Sequence, residues 1–281
     1  MNPPATIKSP TYARPPLVEV ALSLQFMASK EINAAHLGGF WYTKRHAFPH
    51  TTVAAPIEST TDEFGADHWV PTGVRFELRN IPNPRIQMRS EDSEWLLQIQ
   101  SDRLVVNWRK TSDAYPRFPR ALDRFMEVKD EWDSYLESLD MKANWAGPWD
   151  LTYVNQVADK DLCDNARDWL ALLPGVWTDA ETIESDFKLR GLAGRLVWEH
   201  PKKRVRLYVD TQPLRGRGSA DCSLGIQLSA RGLINGSKSS DAESAERTIR
   251  DHFEIGHQMI VQRFDTMVSE KAKMHWGRQN D

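Results

Sequence analysis

The residues Leu17-Val18-Glu19-Val20-Ala21-Leu22-Ser23-Leu24-Gln25-Phe26 alternate between apolar and mostly polar or small side chains. A period of two is typical of a β-strand that buries one face and leaves the other polar. This stretch therefore predicts a strand of an antiparallel sheet, near the N-terminal end of the sequence.

Further alternating stretches follow, together with two helices, of which the second is amphipathic. Strands are predicted near residues 74–79, 85–89, 95–99 and 104–108, and the last two form a hairpin through Ser101-Asp102. Helices are predicted over 31–46 and 118–139, the second from apolar residues that recur every three or four positions. Residues 49–71 are rich in Thr, Pro and acidic residues, which favours a long loop.

The same order of elements returns after residue 147. A strand is predicted over 151–157, a short helix over 161–173, strands over 187–199, 204–211 and 224–228, and a final helix that reaches about residue 270. Ser240 and Glu243 form a capping-box pattern at the start of this helix. Both halves thus read as a strand, a helix, several antiparallel strands and a long helix.

This order predicts an α+β fold with a large curved antiparallel sheet and helices on one face. Two pseudo-duplicated halves that share one sheet would resemble the saddle of the TATA-binding-protein type. The alternative is a helix-grip arrangement, in which a curved sheet wraps around the C-terminal helix. We expect residues 1–16 to form an extended Pro-rich arm, 17–146 the N-terminal half and 147–281 the C-terminal half, packed as one unit.

Composition narrows the class of protein. The chain has 281 residues and a formal net charge of −3, which is not the strongly basic composition of a dedicated non-specific DNA-binding protein. Two cysteines are too few for a disulfide framework or a cysteine zinc site. The sequence contains no run of eighteen apolar residues and no secretory signal before Leu17, so we expect a cytoplasmic protein without a membrane-spanning helix.

Four motifs resemble those of a sporadically distributed bacterial family of chains of about this length. They are Tyr12-x-Arg14-Pro15-Pro16-Leu17-Val18-Glu19-Val20, the strands at 95–100 and 151–156, and His275-Trp276-Gly277. The resemblance spans residues 12–277, its motifs are structural, and it transfers no catalytic residue. Sporadic occurrence is typical of toxin–antitoxin or phage-defence cassettes, so the resemblance implies a protein partner encoded nearby.

The sequence does not contain the common catalytic and nucleotide-binding motifs. There is no G-x-x-x-x-G-K-[ST] loop, no G-x-G-x-x-G after a strand and no G-x-S-x-G elbow. Arg247 and His252 match a loose R-x4-6-H ribonuclease pattern, but His252 lies beside the apolar stripe of a helix and is expected at the core boundary. We therefore expect no catalytic residue, no metal and no cofactor.

Arginines are the strongest candidate for a binding site. Residues 187–231 carry a net charge of +7, and arginines alternate with apolar residues in several predicted strands. If helices cover the apolar face, these residues lie on the opposite face and can bind an anionic partner. The candidates are Arg75, Arg79, Arg85, Arg89, Arg103, Arg109, Arg204, Arg206 and Tyr208. The alternative is that they only solvate the sheet.

Three aromatic residues are candidates for a protein interface. Trp41, Tyr42 and Trp276 lack an obvious packing role, and aromatic residues are enriched at interface hot spots. The sequence thus predicts a non-enzymatic protein that binds a macromolecular partner. Assembly into a homo-oligomer is compatible with this prediction. Nucleic-acid binding through the arginine-rich face is the first alternative, and an enzyme or small-ligand protein with a helix-grip cavity is the second.

Overall fold

A computed structural model describes residues 10–58, 84–112, 115–162, 164, 166–176, 193–200, 203–215, 222–234 and 242–279. Its strands are β1 (Thr11–Tyr12), β2 (Leu17–Gln25), β3 (Met27–Ala28), β4 (His50–Ala54), β5 (Arg85–Arg89), β6 (Trp95–Gln100), β7 (Arg103–Arg109), β8 (Ala143–Asn144), β9 (Pro148–Val157), β10 (Gly194–His200), β11 (Val205–Arg215), β12 (Cys222–Leu233) and β13 (Arg278–Gln279). Its helices are α1 (Ala34–Lys44), α2 (Arg117–Glu137), α3 (Ala166–Leu172), α4 (Ala242–Met267) and α5 (Glu270–His275).

Nine of these strands form one antiparallel sheet in the order β10-β11-β12-β9-β2-β7-β6-β5-β4. The alternation from residue 17 onward forms a strand with one buried face, as predicted. Val20, Leu22 and Leu24 are fully buried on that face of β2. The predicted strand at 74–79 lies outside the described residues. The mixed α+β class, with a large antiparallel sheet, is confirmed.

The sheet repeats one strand order on each side of its centre. In the N-terminal half the first strand, β2, pairs with the last, β7, followed outward by β6 and β5. In the C-terminal half the first strand, β9, pairs in the same way with the last, β12, followed by β11 and β10. The halves meet where β2 pairs with β9, so the pseudo-duplication predicted from element order is present in the topology.

Each half contributes one long helix to the same side of the sheet. Helix α2 packs on β7 and β2, α4 packs on β12 and β9, and the two helices contact each other. Two helices therefore share the role that the helix-grip alternative gave to the C-terminal helix alone. Within the described residues, no helix has both the length and the apolar character needed to cross a membrane.

Glycines allow α4 to approach the sheet closely at Trp149. The indole of Trp149 is fully buried on β9 and packs edge-on against Phe253 of α4. A Cβ added to Gly256 of α4 would lie 2.8 Å from this indole, and one added to Gly232 of β12 would also lie 2.8 Å from it. Both positions need glycine because the large ring occupies the space that a side chain would take.

Two parts of the chain differ from the sequence-based expectations. The expected loop at 49–71 contains β4, a polar edge strand whose side chains are mostly exposed and therefore show no apolar alternation. The expected Pro-rich arm is anchored at its end, since β1 pairs with β13 and Tyr12 is buried. The Tyr12 hydroxyl donates to Oδ1 of Asp265, at 2.7 Å.

Candidate functional site

The face of the sheet opposite the helices is polar, and we call it the polar face. It carries the strand residues that alternate with the buried apolar ones. The predicted pairs Arg85 with Arg89 and Arg103 with Arg109 lie on it, because an even number of positions separates the members of each pair and the apolar residues that alternate with them face the core. Arg75 and Arg79 lie outside the described residues.

A row of hydrogen-bonded side chains crosses the N-terminal half of the polar face. The amide of Gln87 donates to Gln98 at 2.9 Å, and the amide of Gln98 donates to Asn107 at 2.8 Å. Asn107 in turn donates to the carboxylate of Glu19, and Thr52 donates to Gln87. The row joins five neighbouring strands, so these side chains hold one another in fixed orientations.

Main chain from residues 57 and 58 lies against the same half of the polar face. The side-chain amide of Gln100 accepts from the Ile57 N–H at 2.8 Å and donates to the Ile57 carbonyl at 3.0 Å. Arg103 donates to the carbonyl of Glu58 at 3.4 Å and to Ser23 Oγ at 3.2 Å. A glutamine and an arginine of the sheet thus bind peptide groups directly.

Two arginines lie beside this segment: Arg85 is half-buried and Arg103 is buried. Burial lowers the pKa of both guanidinium groups from the usual value for arginine. Among the described residues, Nε of each is buried without a hydrogen-bond partner. Their remaining donors are therefore held in a partly desolvated position, which strengthens any hydrogen bond they make to a carbonyl or carboxylate.

The C-terminal half of the polar face holds arginines in ion pairs. Nε of Arg206 lies 2.9 Å from Glu199, and Arg231 and Arg195 pair with Asp150 and Asp210. Each carboxylate stands directly opposite its arginine in the antiparallel register. Arg206 was expected on an open face, either to bind an anionic partner or to solvate the sheet. It is only 5 % exposed and is paired across the hairpin, so its charge is neutralised by Glu199.

Two further candidates also differ from the expectation of an exposed face. Tyr208 is buried, and the guanidinium groups of Arg231 and Arg195 lie 4.8 and 5.9 Å from its ring centroid. Arg204 is not a strand residue, since it occupies the turn before β11 with a φ of 50°. It therefore does not share a strand face with Arg206.

Arg89 and Arg109 fulfil the expectation of accessible cations, since both are exposed at the ends of β5 and β7. The aromatic interface candidates divide. Tyr42 is 60 % exposed and lies under the guanidinium of Arg45, whereas Trp41 is half-buried against the core. Trp276 is only 4 % exposed and packs on Phe264 and Tyr12, so its assignment to an interface is wrong.

His252 has the structural position that the sequence predicted. Its Nδ1 lies 2.7 Å from the carbonyl of Thr248, one turn earlier in α4, and its ring contacts Trp149. Among the described residues, no three histidine, cysteine, aspartate or glutamate side chains come together as metal ligands. No family model, curated protein or solved structure matches the chain.

Proposed function

We propose that this protein is a non-enzymatic binding protein that recognises a protein partner through the polar face. The observation that carries the proposal is the way in which Gln100 and Arg103 bind the main chain at Ile57 and Glu58. A side-chain amide that satisfies both the main-chain N–H and the main-chain carbonyl of one residue can recognise an extended partner segment in the same way.

Comparable groups continue across the centre of the sheet. Thr152 and Ser229 share a hydrogen bond of 2.7 Å, Gln227 donates to Ser229, and Gln156 donates to Ser223. Thr152, Gln156 and Gln227 are not fully buried, so a partner can reach them. A partner segment that crosses β9 and β12 would meet amide and hydroxyl groups that are already oriented.

The ion pairs favour a protein over a nucleic acid. A phosphate backbone needs cations whose charge is available, but Arg206, Arg231 and Arg195 each contact a carboxylate. Mixed charges held in fixed positions suit a protein surface with its own mixture of charges. Nucleic-acid binding, the first alternative, is therefore an outcome of the experiment below and not part of the proposal.

The setting of this function is also a proposal. We infer from the resemblance of the sequence motifs that the protein acts in a bacterial cytoplasm, in an accessory cassette of the toxin–antitoxin or phage-defence type. The partner would then be the product of a gene beside it. This setting suggests which proteins to test first.

A charge-reversal comparison in the native cell tests the proposal. Arg89→Glu with Arg109→Glu changes two exposed cations of the polar face, and Arg120→Glu with Arg247→Glu makes the same change on exposed residues of α2 and α4. We expect only the first double variant to lose a partner protein that still co-purifies with the wild type after nuclease treatment. The free energy of unfolding should change by no more than about 0.5 kcal/mol per site in both variants. Equal retention by both variants, or a partner removed by nuclease, would contradict the proposal.

A further inference from the structure

A cavity lies on the helix side of the sheet, between the start of α2 and the second half of α4. Its volume is about 420 Å³, within the range of about 300–1,000 Å³ that small-molecule sites occupy. Most of its wall is apolar and is formed by Leu17, Phe118, Leu228, Ile260, Val261 and Phe264. An apolar molecule would thus replace water against most of this wall.

One end of the cavity is polar. There the hydroxyl of Tyr153 lies 2.8 Å from Nδ1 of His257 and also interacts with the hydroxyl of Tyr115. The imidazole of His257 stacks on Phe118, with 4.2 Å between ring centroids and an angle of 6° between the planes. Strand β9, helix α4 and the segment just before α2 therefore fix the positions of three polar groups that face one space.

These polar groups are uncharged at neutral pH. Burial raises the pKa of Tyr115 to about 12 and raises that of Tyr153 well above the usual value for a phenol. Burial lowers the pKa of His257 to about 4. The polar end consequently offers hydroxyl and imidazole groups without a net charge, and it does not supply a counter-charge for a buried anion or cation.

The rim of the cavity contains a strained residue. Arg117, at the start of α2, has a φ of 69°, and its guanidinium donates to the carbonyl of Tyr12 at 3.1 Å. A left-handed conformation of a residue other than glycine is strained and is often retained where it shapes a functional site. In this conformation the charged guanidinium of Arg117 lies at the rim, against the main-chain carbonyl of Tyr12.

We propose that this cavity binds a small, uncharged and largely apolar molecule that carries one hydroxyl or carbonyl group. The apolar part would lie between Phe118, Leu228 and Val261, and the oxygen would hydrogen-bond at the tyrosine end. The hydroxyls of Tyr115 and Tyr153 can each donate or accept, so either kind of oxygen finds a partner. The site lies on the face of the sheet opposite the proposed protein-binding surface and does not depend on it.

Binding of three matched probes tests this assignment. The three probes share the apolar body of ethylbenzene. In para-ethylphenol it carries a hydroxyl, in ethylbenzene it carries no polar group, and in para-ethylbenzoate it carries a negative charge. Dissociation constants are measured by ligand-detected NMR with the full chain. We expect para-ethylphenol to bind about tenfold more tightly than ethylbenzene, the effect of one satisfied buried hydrogen bond. We expect para-ethylbenzoate to bind most weakly.

Variants locate the binding. Val261→Phe fills the cavity and should abolish binding of both uncharged probes, while Val53→Phe makes the same change at an exposed site on β4 and should leave binding unchanged. Tyr153→Phe should reduce the affinity for para-ethylphenol to that for ethylbenzene. Tyr115→Phe replaces it as the test if Tyr153→Phe does not fold.

Four results would overturn the proposal. They are no binding of para-ethylphenol to the wild type, equal affinity for the phenol and the hydrocarbon, tightest binding of the benzoate, and unchanged binding in Val261→Phe. Because none of these measurements involves a protein partner, a failure here leaves the proposed function unaffected.

Discussion

The Tyr153 hydroxyl and Nδ1 of His257 lie 2.8 Å apart, although 104 positions separate the two residues along the chain. The contact ties the central strand β9 to helix α4. Since the imidazole is held between Phe118 and this hydroxyl, protonating it would place an uncompensated charge inside the protein. Burial of this imidazole, which lowers the pKa of His257, therefore makes the stability of the fold depend on pH.

We expect stability to fall as the pH drops from about 6.5 to 4. Over that range the unfolded chain protonates His257 at the ordinary pKa, while burial keeps the folded imidazole neutral down to a pKa of about 4. The unfolded state thus binds more protons, and the total loss is about 3 kcal/mol. Urea unfolding at several pH values measures it. His257→Gln should show a shallower pH dependence; parallel curves for variant and wild type would contradict this explanation.

The anchoring of the N-terminal segment gives a truncation prediction. Deletion of residues 1–12 removes Tyr12, which is buried and donates to Asp265, whereas deletion of residues 1–10 keeps it. Loss of a buried aromatic residue costs about 3–5 kcal/mol, so we expect the longer deletion to melt at least about 5 °C lower. Calorimetry on the two truncated proteins decides the matter. Identical melting temperatures would mean that β1 does not contribute to the fold.

Gly256 is predicted to be sensitive to a single methyl group. In Gly256→Ala the new Cβ meets the buried indole of Trp149 at 2.8 Å, and overpacking of this kind costs about 1–3 kcal/mol. Gly38→Ala in α1 is the matched control, because its Cβ has nothing within 4 Å and gains up to about 1 kcal/mol of helix propensity. Chemical denaturation should therefore give opposite signs for the two variants. Stabilisation by both would show that Trp149 can move.

The buried ion pair of the polar face gives a fourth stability prediction. Arg206→Glu places two carboxylates together where Nε now lies 2.9 Å from Glu199, and breaking a buried pair costs about 3–5 kcal/mol. Exchanging both residues, Glu199→Arg with Arg206→Glu, should recover part of that loss in a double-mutant cycle. Additive losses in the cycle would show that the pair does not couple.

Local pattern was sufficient for the strands that alternate apolar and polar residues, and for the side that their residues face. The alternation in β2 and β7 predicted both, because a half-buried strand needs only its own sequence to show its period. It failed for β4, whose residues have no buried face to reveal. It also failed for Trp276, since a tryptophan after a helix shows nothing of Tyr12 and Phe264, which cover it.

The environment of the arginines could not be predicted in the same way. Glu199 neutralises Arg206 only because the hairpin register places them opposite each other, and Asp150 lies 81 positions from Arg231. A net charge summed along a segment ignores such pairs. Likewise the cavity depends on Tyr115, Tyr153 and His257, which lie before α2, in β9 and in α4 and carry no common motif.

Photo-crosslinking from the polar face is the most direct measurement of partner binding there. A photoreactive amino acid at Gln156, exposed on the polar side of the central strand β9, is compared with one at Arg120, exposed on α2. We predict that irradiation of living cells gives a nuclease-resistant, protease-sensitive adduct from position 156 and none from position 120. An adduct from position 120 alone, or one that nuclease removes, would contradict recognition of a protein by this face.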